Sequence, residues 1–254
     1  MQNNNHKFIL TPISNILKDA VTACRGIGEG IETVPLREYL FQTVFLKLTG
    51  ASEQKLKCIC WEMATYDYNY RYQTISRQIG ECSCYDEKKS IFQDLSKVIS
   101  GLNPHYDFNA LFMDRNKEEL LDVLRNDYIS ILDNSQLAKW ENRAFHYFKT
   151  SEPIINKNSF AIRNKQPSAK FPYTFTDEKF KKYYEDIVYR HRNRYAHNLT
   201  SYQNNIPTLK VLSSEGFMTQ NCFDMMFSLI VFDHVFMIFF SEFILLLEKG
   251  FHLT

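Results

Sequence analysis

The stretch Met225–Leu247 reads MMFSLIVFDHVFMIFFSEFILLL and is unusually apolar. A run of this length could cross a bilayer. However, Asp233, His234 and Glu242 lie within it, and ionisable groups are unfavourable in the middle of a membrane. The run also lacks flanking aromatic belts and a strong lysine or arginine asymmetry. We therefore predict a long helix over 221–249 that is buried on several sides, with membrane association as a minor alternative.

Composition favours helices in the rest of the chain. The protein has 254 residues, of which 44% are hydrophobic, so it can form a sizeable core. It contains only 8 glycines and 7 prolines, whereas all-β folds need many of both for tight turns. We expect an all-α bundle of roughly seven to eight helices that forms a single domain over residues 1–254.

Apolar periodicity places the helices of the first third of the chain. It predicts helices over 11–26 and 36–48. Thr49 and Gly50 are expected to break the chain, and Ser52 is a possible N-cap for a long helix over 53–79.

Further helices are predicted over 86–102, 115–132, 135–148 and 177–198. Between them, residues 151–176 carry three prolines and many Asn, Lys and Ser residues. This composition indicates a long irregular connection, of a kind that is often functional. Residues 201–216 are predicted to form a loop.

Four alternating tyrosines, Tyr66, Tyr68, Tyr70 and Tyr72, close the predicted helix over 53–79. Alternation alone would favour a strand, but the helical pattern upstream favours a helix. The tyrosines could stack on RNA bases. Packing or a subunit interface is the preferred interpretation, because tyrosine suits half-buried helix faces.

Charge and cysteine content restrict the possible functions. With 30 Lys and Arg against 29 Asp and Glu, the net charge is +1, so any polyanion site must be a local cluster. The six cysteines are expected to be free thiols in the cytoplasm. Cys58 and Cys60 lie about 200° apart on a helix, which disfavours a zinc site with Cys82 and Cys84. We predict no metal and no cofactor.

The sharpest cationic cluster spans Tyr189–Asn198, YRHRNRYAHN. It contains three arginines and two histidines, and it ends the helix predicted over 177–198. A helix C-terminus favours cations, but that effect does not require two imidazoles. The alternative, non-functional interpretation is a solvated basic helix end.

Arg192 and Asn193, followed by Ala196 and His197, resemble the R-x4-6-H motif of the HEPN superfamily. The resemblance implies an all-helical bundle with the motif near the end of one helix, followed by another core helix. It also implies a homodimeric ribonuclease, and a role in prokaryotic defence or toxin-like growth arrest, with an antitoxin or activator as a candidate partner. Leu199 stands where one minimal toxin subgroup has a tyrosine, which disfavours that subgroup.

The residue types suit RNA cleavage without metal, in which the substrate's 2′-hydroxyl is the nucleophile. His197 can transfer protons near neutral pH, and Arg192 can bind phosphate oxygens in a bidentate manner. Asn193 could orient the imidazole or donate to phosphate. Positions 192 and 197 lie about 140° apart on a continuous helix. They would converge only if the helix ends between them or if a second copy completes the site, and the HEPN resemblance implies the second, dimeric arrangement.

The remaining cations are assigned lesser roles. Arg190 is the alternative arginine of the motif and is also assigned to RNA binding. His191 and Arg194 are assigned to RNA binding or to the surface. His105, His146 and His234 are interpreted as structural. The competing hypothesis is a non-catalytic RNA- or protein-binding module that regulates a partner.

Overall fold

A computed structural model describes residues 4–77, 80–108, 114–163, 173–197 and 221–250. Within these ranges the protein is an all-α bundle with one small antiparallel sheet, which confirms the predicted fold class. The elements are α1 (Asn4–Ile9), α2 (Ser14–Ala23), α3 (Val34–Tyr66), α4 (Tyr68–Arg77), α5 (Tyr85–Leu102), α6 (Asp114–Leu132), α7 (Gln136–Trp140), α8 (Asn142–Thr150), β1 (Phe160–Arg163), β2 (Tyr173–Thr176), α9 (Glu178–Tyr183), a π-helical segment (Tyr184–Tyr189), α10 (Arg190–His197) and α11 (Cys222–Glu248).

Helix α11 is the central helix of the bundle, as predicted. It contacts α3, α5, α6 and α8, and its phenylalanines at 239, 240 and 243 are fully buried. Asn221 caps it by accepting a hydrogen bond from the Phe223 N–H at 2.9 Å. By length and composition α11 could span a membrane, but 61% of its apolar 18-residue stretch is buried inside the protein. Such burial is typical of a core helix.

Helix α3 runs without interruption for 33 residues, so the predicted break at Thr49 and Gly50 is wrong. Glycine lowers helix stability by about 1 kcal/mol, and packing on both sides of Gly50 outweighs that penalty. Leu48 and Leu56, for example, are 0% and 1% exposed. Ser52 is buried within α3 and is not an N-cap.

The helix predicted over 53–79 is divided in the structure. Asp67 adopts an extended conformation, which ends α3 and starts α4. Tyr68, Tyr70 and Tyr72 lie in α4, which confirms that they are helical.

Other observed helix boundaries differ from the predicted ones by more than the usual fraying of helix ends. The predicted helix over 11–26 is shorter, as α2, and α1 precedes it. The predicted helix over 135–148 is split at Glu141 into α7 and α8. The region 151–176, predicted to be irregular, contains β1 and β2, which pair with Phe160 opposite Thr176. The strands form because Phe160 and Phe175 are fully buried in the core.

The segment that carries the cationic cluster begins as predicted. Asp177 accepts a hydrogen bond from the Phe180 N–H at 2.7 Å and caps α9. The helix then widens into the π-helical segment and continues as α10 through His197. The sequence did not predict this widening. The loop predicted over 201–216 lies outside the described residues.

Candidate functional site

Helix α10 packs against α3 and brings Arg192 to Glu53. The Arg192 Nε donates to Glu53 Oε1 at 3.2 Å, and Nη2 donates to Oε2 at 3.1 Å. This bidentate geometry fixes the plane of the guanidinium. The Arg192 side chain is 22% exposed and that of Glu53 is 12% exposed. The pair therefore lies at the boundary between the core and the surface.

Asn193 supports the same guanidinium from within α10. The Arg192 Nη1 donates to the Asn193 Oδ1 at 3.2 Å. A guanidinium has five N–H groups, and these contacts with described residues use three of them. The other two N–H groups have no acceptor among the residues that the structure describes.

Glu53 holds Arg192 in its charged form. Its hydrogen bond is the main reason that the pKa of Arg192 is raised, against a smaller lowering by burial. The carboxylate also balances the charge of the arginine. The pair therefore fixes the orientation of the guanidinium but creates little net positive potential.

Helix α5 places a buried lysine in the neighbourhood of Glu53. Lys88 is 2% exposed, and its Nζ donates to the Cys82 carbonyl oxygen at 2.6 Å. Burial lowers the pKa of Lys88 to about 8, while the nearby Glu53 acts in the opposite direction. The Tyr184 ring of the π-helical segment lies 5.8 Å from this Nζ. Lys88 and Tyr184 thus lie close enough to feel the charge of Glu53, whereas Arg192 contacts it directly.

Sequence reasoning missed Glu53, Lys88 and Tyr184. Because Gly50 was predicted to break the helix, Glu53 fell in the first turn of the helix predicted over 53–79, where an acidic residue is common. Lys88 lies at a buried position of the amphipathic helix α5, and a lysine there is a signal of a buried partner. The π-helical segment has no comparable sequence signal.

His191, assigned to RNA binding or the surface, is half-buried. Its ring lies edge-on to Tyr195 at 5.7 Å, and its Nδ1 is buried without a hydrogen-bond partner among the described residues. Burial, with a smaller contribution from Arg194, lowers the pKa of His191 to about 4. At neutral pH His191 is therefore uncharged and contributes no positive charge to the cluster.

The other cluster residues lie along α10. Arg190 is exposed and pairs with Asp186 one turn earlier, at 3.0 Å. Arg194 is partly exposed, and His197 is the last residue of α10. Since α10 is unbroken from Arg192 to His197, their helical positions are about 140° apart, and a single helix does not bring them together.

The described ranges contain no group of three or more His, Cys, Asp or Glu residues that could hold a metal ion. All six cysteines are free thiols. Burial raises the pKa of Cys60 to about 12 and that of Cys82 to about 11, so neither is a thiolate at neutral pH.

Comparisons with protein-family models, curated proteins and solved structures find no significant match for this chain.

Proposed function

We propose that this protein is a metal-independent endoribonuclease of the HEPN type that cuts single-stranded or loop RNA. The observation that carries the proposal is the arrangement of Arg192. Its guanidinium is held by Glu53 and Asn193, and the described contacts leave two of its N–H groups for a phosphate. It also stands near the end of the last helix that the structure describes before the core helix α11, and the HEPN resemblance expects the motif near a helix end.

In the proposed reaction the substrate's 2′-hydroxyl attacks the adjacent phosphorus, and the 5′-oxygen of the next nucleotide leaves. Arg192 stabilises the charge that develops on the phosphate oxygens. His197 transfers a proton as general acid or base. Asn193, which contacts the arginine, orients the reacting groups. The upstream product keeps a 2′,3′-cyclic phosphate.

Two copies of the chain complete the site in this proposal. Arg192 and His197 are too far apart around one helix to act on the same phosphate. A two-fold axis at α10 would bring the arginine of one copy near the histidine of the other. Arg190 and Arg194 would contact flanking phosphates. The HEPN resemblance extends the proposal to a cytoplasmic role in prokaryotic defence or toxin-like growth arrest, under an antitoxin or activator.

The test is cleavage of an end-labelled single-stranded RNA in the presence of EDTA. We expect the wild type to cut and to leave a cyclic phosphate, and we expect Arg192→Ala and His197→Ala to be inactive. Both variants should melt within a few degrees of the wild type. Arg143→Ala, which removes an exposed arginine of α8, is the control and should cut normally.

Two results would contradict the proposal. The first is unchanged cleavage by both Arg192→Ala and His197→Ala. The second is a product with a free 3′-hydroxyl, which indicates metal-dependent chemistry. If His197 acts as a base, activity should also fall on acidification as the imidazole becomes protonated.

The second candidate is a non-catalytic RNA- or protein-binding module. It is favoured by the ion pair itself, because Glu53 compensates the positive charge that a catalytic arginine would use. The same assay separates the two functions. Binding of RNA without cleavage, by both the wild type and His197→Ala, would support the binding module.

A further inference from the structure

Four large aromatic side chains are exposed near the junction of α3 and α4, and one of them, Tyr66, is 48% exposed and packs edge-on against Phe243 at 5.9 Å. Trp61 is 69% exposed, Tyr68 is 76% exposed and Tyr72 is 72% exposed. We call these three residues the aromatic patch. Their rings are left open to solvent by the described residues, although each could bury a large apolar area.

The aromatic patch is linked to Arg192 along α3. Glu53, Lys57 and Trp61 are spaced by four residues, so they follow one stripe of the helix over about 12 Å. Exposure of the side chains increases along this stripe, from 12% at Glu53 to 34% at Lys57 and 69% at Trp61. The stripe therefore leads from the partner of Arg192 outward to an exposed indole.

Helix α4 presents the two tyrosines in a defined orientation. Tyr70 is 7% exposed and packs in the core. Tyr68 and Tyr72 lie about 200° away from it on either side, so both face outward as an i,i+4 pair. The Asp67 Oδ1 accepts a hydrogen bond from the Tyr70 N–H at 3.0 Å, which fixes the start of the helix.

Arg71 joins the two helices and adds a cation beside the tyrosines. Its Nε donates to the Ala64 carbonyl oxygen at 2.7 Å, and its Nη2 donates to that of Thr65 at 3.3 Å. These carbonyls belong to the last turn of α3, where a cation is favoured by the helix dipole. The side chain is exposed, so the guanidinium is also open to a phosphate.

We propose that the aromatic patch stacks on the bases of a single-stranded RNA whose backbone extends to Arg192. The inference rests on the proposed function, because that function supplies the RNA. It specifies the substrate as unpaired RNA with little base preference, since every base has a π-face that can stack on an aromatic ring.

Two observations favour RNA over a protein partner. All large apolar side chains that are exposed within residues 61–73 are aromatic, whereas exposed aliphatic side chains, Ile31 and Val123 for example, lie elsewhere in the chain. Two nearby carboxylates are also paired with cations, Glu53 with Arg192 and Glu81 with Lys57 at 2.6 Å. Repulsion of a phosphate backbone is thereby reduced.

Tryptophan fluorescence gives a direct readout of stacking. The chain has two tryptophans, and Trp140 is 8% exposed with its Nε1 donating to the Gly28 carbonyl oxygen at 3.1 Å. Quenching by a ligand at the surface therefore reports on Trp61. The probe is a 12-nucleotide oligothymidylate, which lacks the 2′-hydroxyl and cannot be cut by the proposed reaction.

We expect oligothymidylate to quench Trp61. We expect the double variant Tyr68→Ala/Tyr72→Ala to bind at least about fivefold more weakly than the wild type, because stacking on one ring contributes at least about that much. Tyr39→Ala is the matched control. Tyr39 is 64% exposed and lies on α3, the helix that carries Trp61, about 33 Å before Trp61. Its replacement should leave binding unchanged.

Two outcomes would overturn the inference. One is the absence of quenching together with equal affinity of the double variant and the wild type. The other is loss of the dimer in Tyr68→Ala/Tyr72→Ala with unchanged oligonucleotide affinity, measured by light scattering, which would identify the patch as a protein interface.

Failure of the inference can be distinguished from failure of the proposed function. Cleavage that depends on Arg192 and His197 but not on the patch would overturn only the stacking. Conversely, quenching of Trp61 without RNA cleavage by the wild type would support the stacking and reject the nuclease.

Discussion

Two of the ion pairs on helix α3, Glu53–Arg192 and Lys55–Asp233, differ in exposure and in the helix they reach. Their α3 residues are two positions apart and so point about 200° apart around the helix. Glu53 pairs with α10 at 3.1 Å, with side chains 12% and 22% exposed. Lys55 pairs with α11 at 2.6 Å, with side chains 5% and 4% exposed. One helix thus supports both the interior of the bundle and the candidate site.

The difference in burial indicates what each pair can do. Asp233 also accepts a hydrogen bond from the Ile13 N–H at 3.0 Å. The buried pair therefore links three parts of the chain, namely the residue just before α2, helix α3 and helix α11. Both of its side chains are almost fully buried, so we expect its role to be structural. The Glu53–Arg192 pair is partly exposed, so a phosphate can approach the arginine without opening the core.

The largest expected effect comes from breaking the buried pair. Asp233→Ala leaves the Lys55 ammonium without its partner in the core, and we expect a loss of about 3–5 kcal/mol in the free energy of unfolding. Urea denaturation measures it. The double variant Lys55→Met/Asp233→Leu is the control and should recover much of the loss. A loss below about 1 kcal/mol in Asp233→Ala would contradict the structural role.

Asp224 in α11 is a buried carboxylate without a cation at ion-pair distance among the described residues. Its contribution to stability should therefore depend on pH. Burial raises the pKa of Asp224 to about 7, and Arg125 only partly opposes it. The folded state therefore holds a proton that the unfolded state releases above about pH 4, so stability should fall as the pH rises from about 4 to 7. The loss is up to about 4 kcal/mol.

Urea denaturation of Asp224→Asn at pH 4.5 and pH 7.5 tests this expectation. The variant should show a smaller loss of stability over that range than the wild type. An equal loss in both proteins would contradict the assignment. Asp122→Asn, an exposed residue of α6, is the control.

Replacing Glu53 tests the partly exposed pair. Glu53→Gln removes the compensating charge and loosens the guanidinium, so we expect RNA to bind more tightly while the cleavage rate falls about 10- to 100-fold. Stability should change by about 1 kcal/mol or less. Separate measurement of kcat and KM distinguishes the two effects. Glu81→Gln, at the exposed partner of Lys57, should leave kcat unchanged, and an equal fall in both variants would argue against a specific role for Glu53.

The smallest expected effect concerns His191. Burial lowers the pKa of His191 to about 4, so the unfolded state binds a proton between about pH 6.5 and 4 that the folded state excludes. Stability should therefore fall on acidification through this range, on the order of 1 kcal/mol because the ring is partly exposed. His191→Gln should remove part of this fall. His146→Gln, at an exposed histidine of α8, should not.

The sequence predicts those parts of the fold in which one pattern dominates. Helix α11 is identified by its apolar length, and α5 by its amphipathic repeat and the break at Asn103 and Pro104. The course of α3 was mispredicted, because the local preference of Gly50 is outweighed by packing that a single sequence does not reveal. Strands β1 and β2 were missed because their few aromatic residues lie in a region rich in proline and asparagine.

The candidate site was predicted only in part. The residues of α10 stand out as a local excess of cations. Glu53 is 139 positions away from Arg192 in the sequence, and no local pattern connects them. Likewise, the burial of His191 depends on the packing of α10, which the sequence did not predict.

Mixing two inactive variants tests the central claim most directly, namely that Arg192 of one copy acts with the histidine of the other. Differently tagged Arg192→Ala and His197→Ala proteins would be co-expressed, and the mixed dimer isolated and assayed on single-stranded RNA in EDTA. We predict that cleavage returns to about half the wild-type rate, since one of the two sites in the mixed dimer is complete. A mixed dimer that is as inactive as either parent would contradict the shared site.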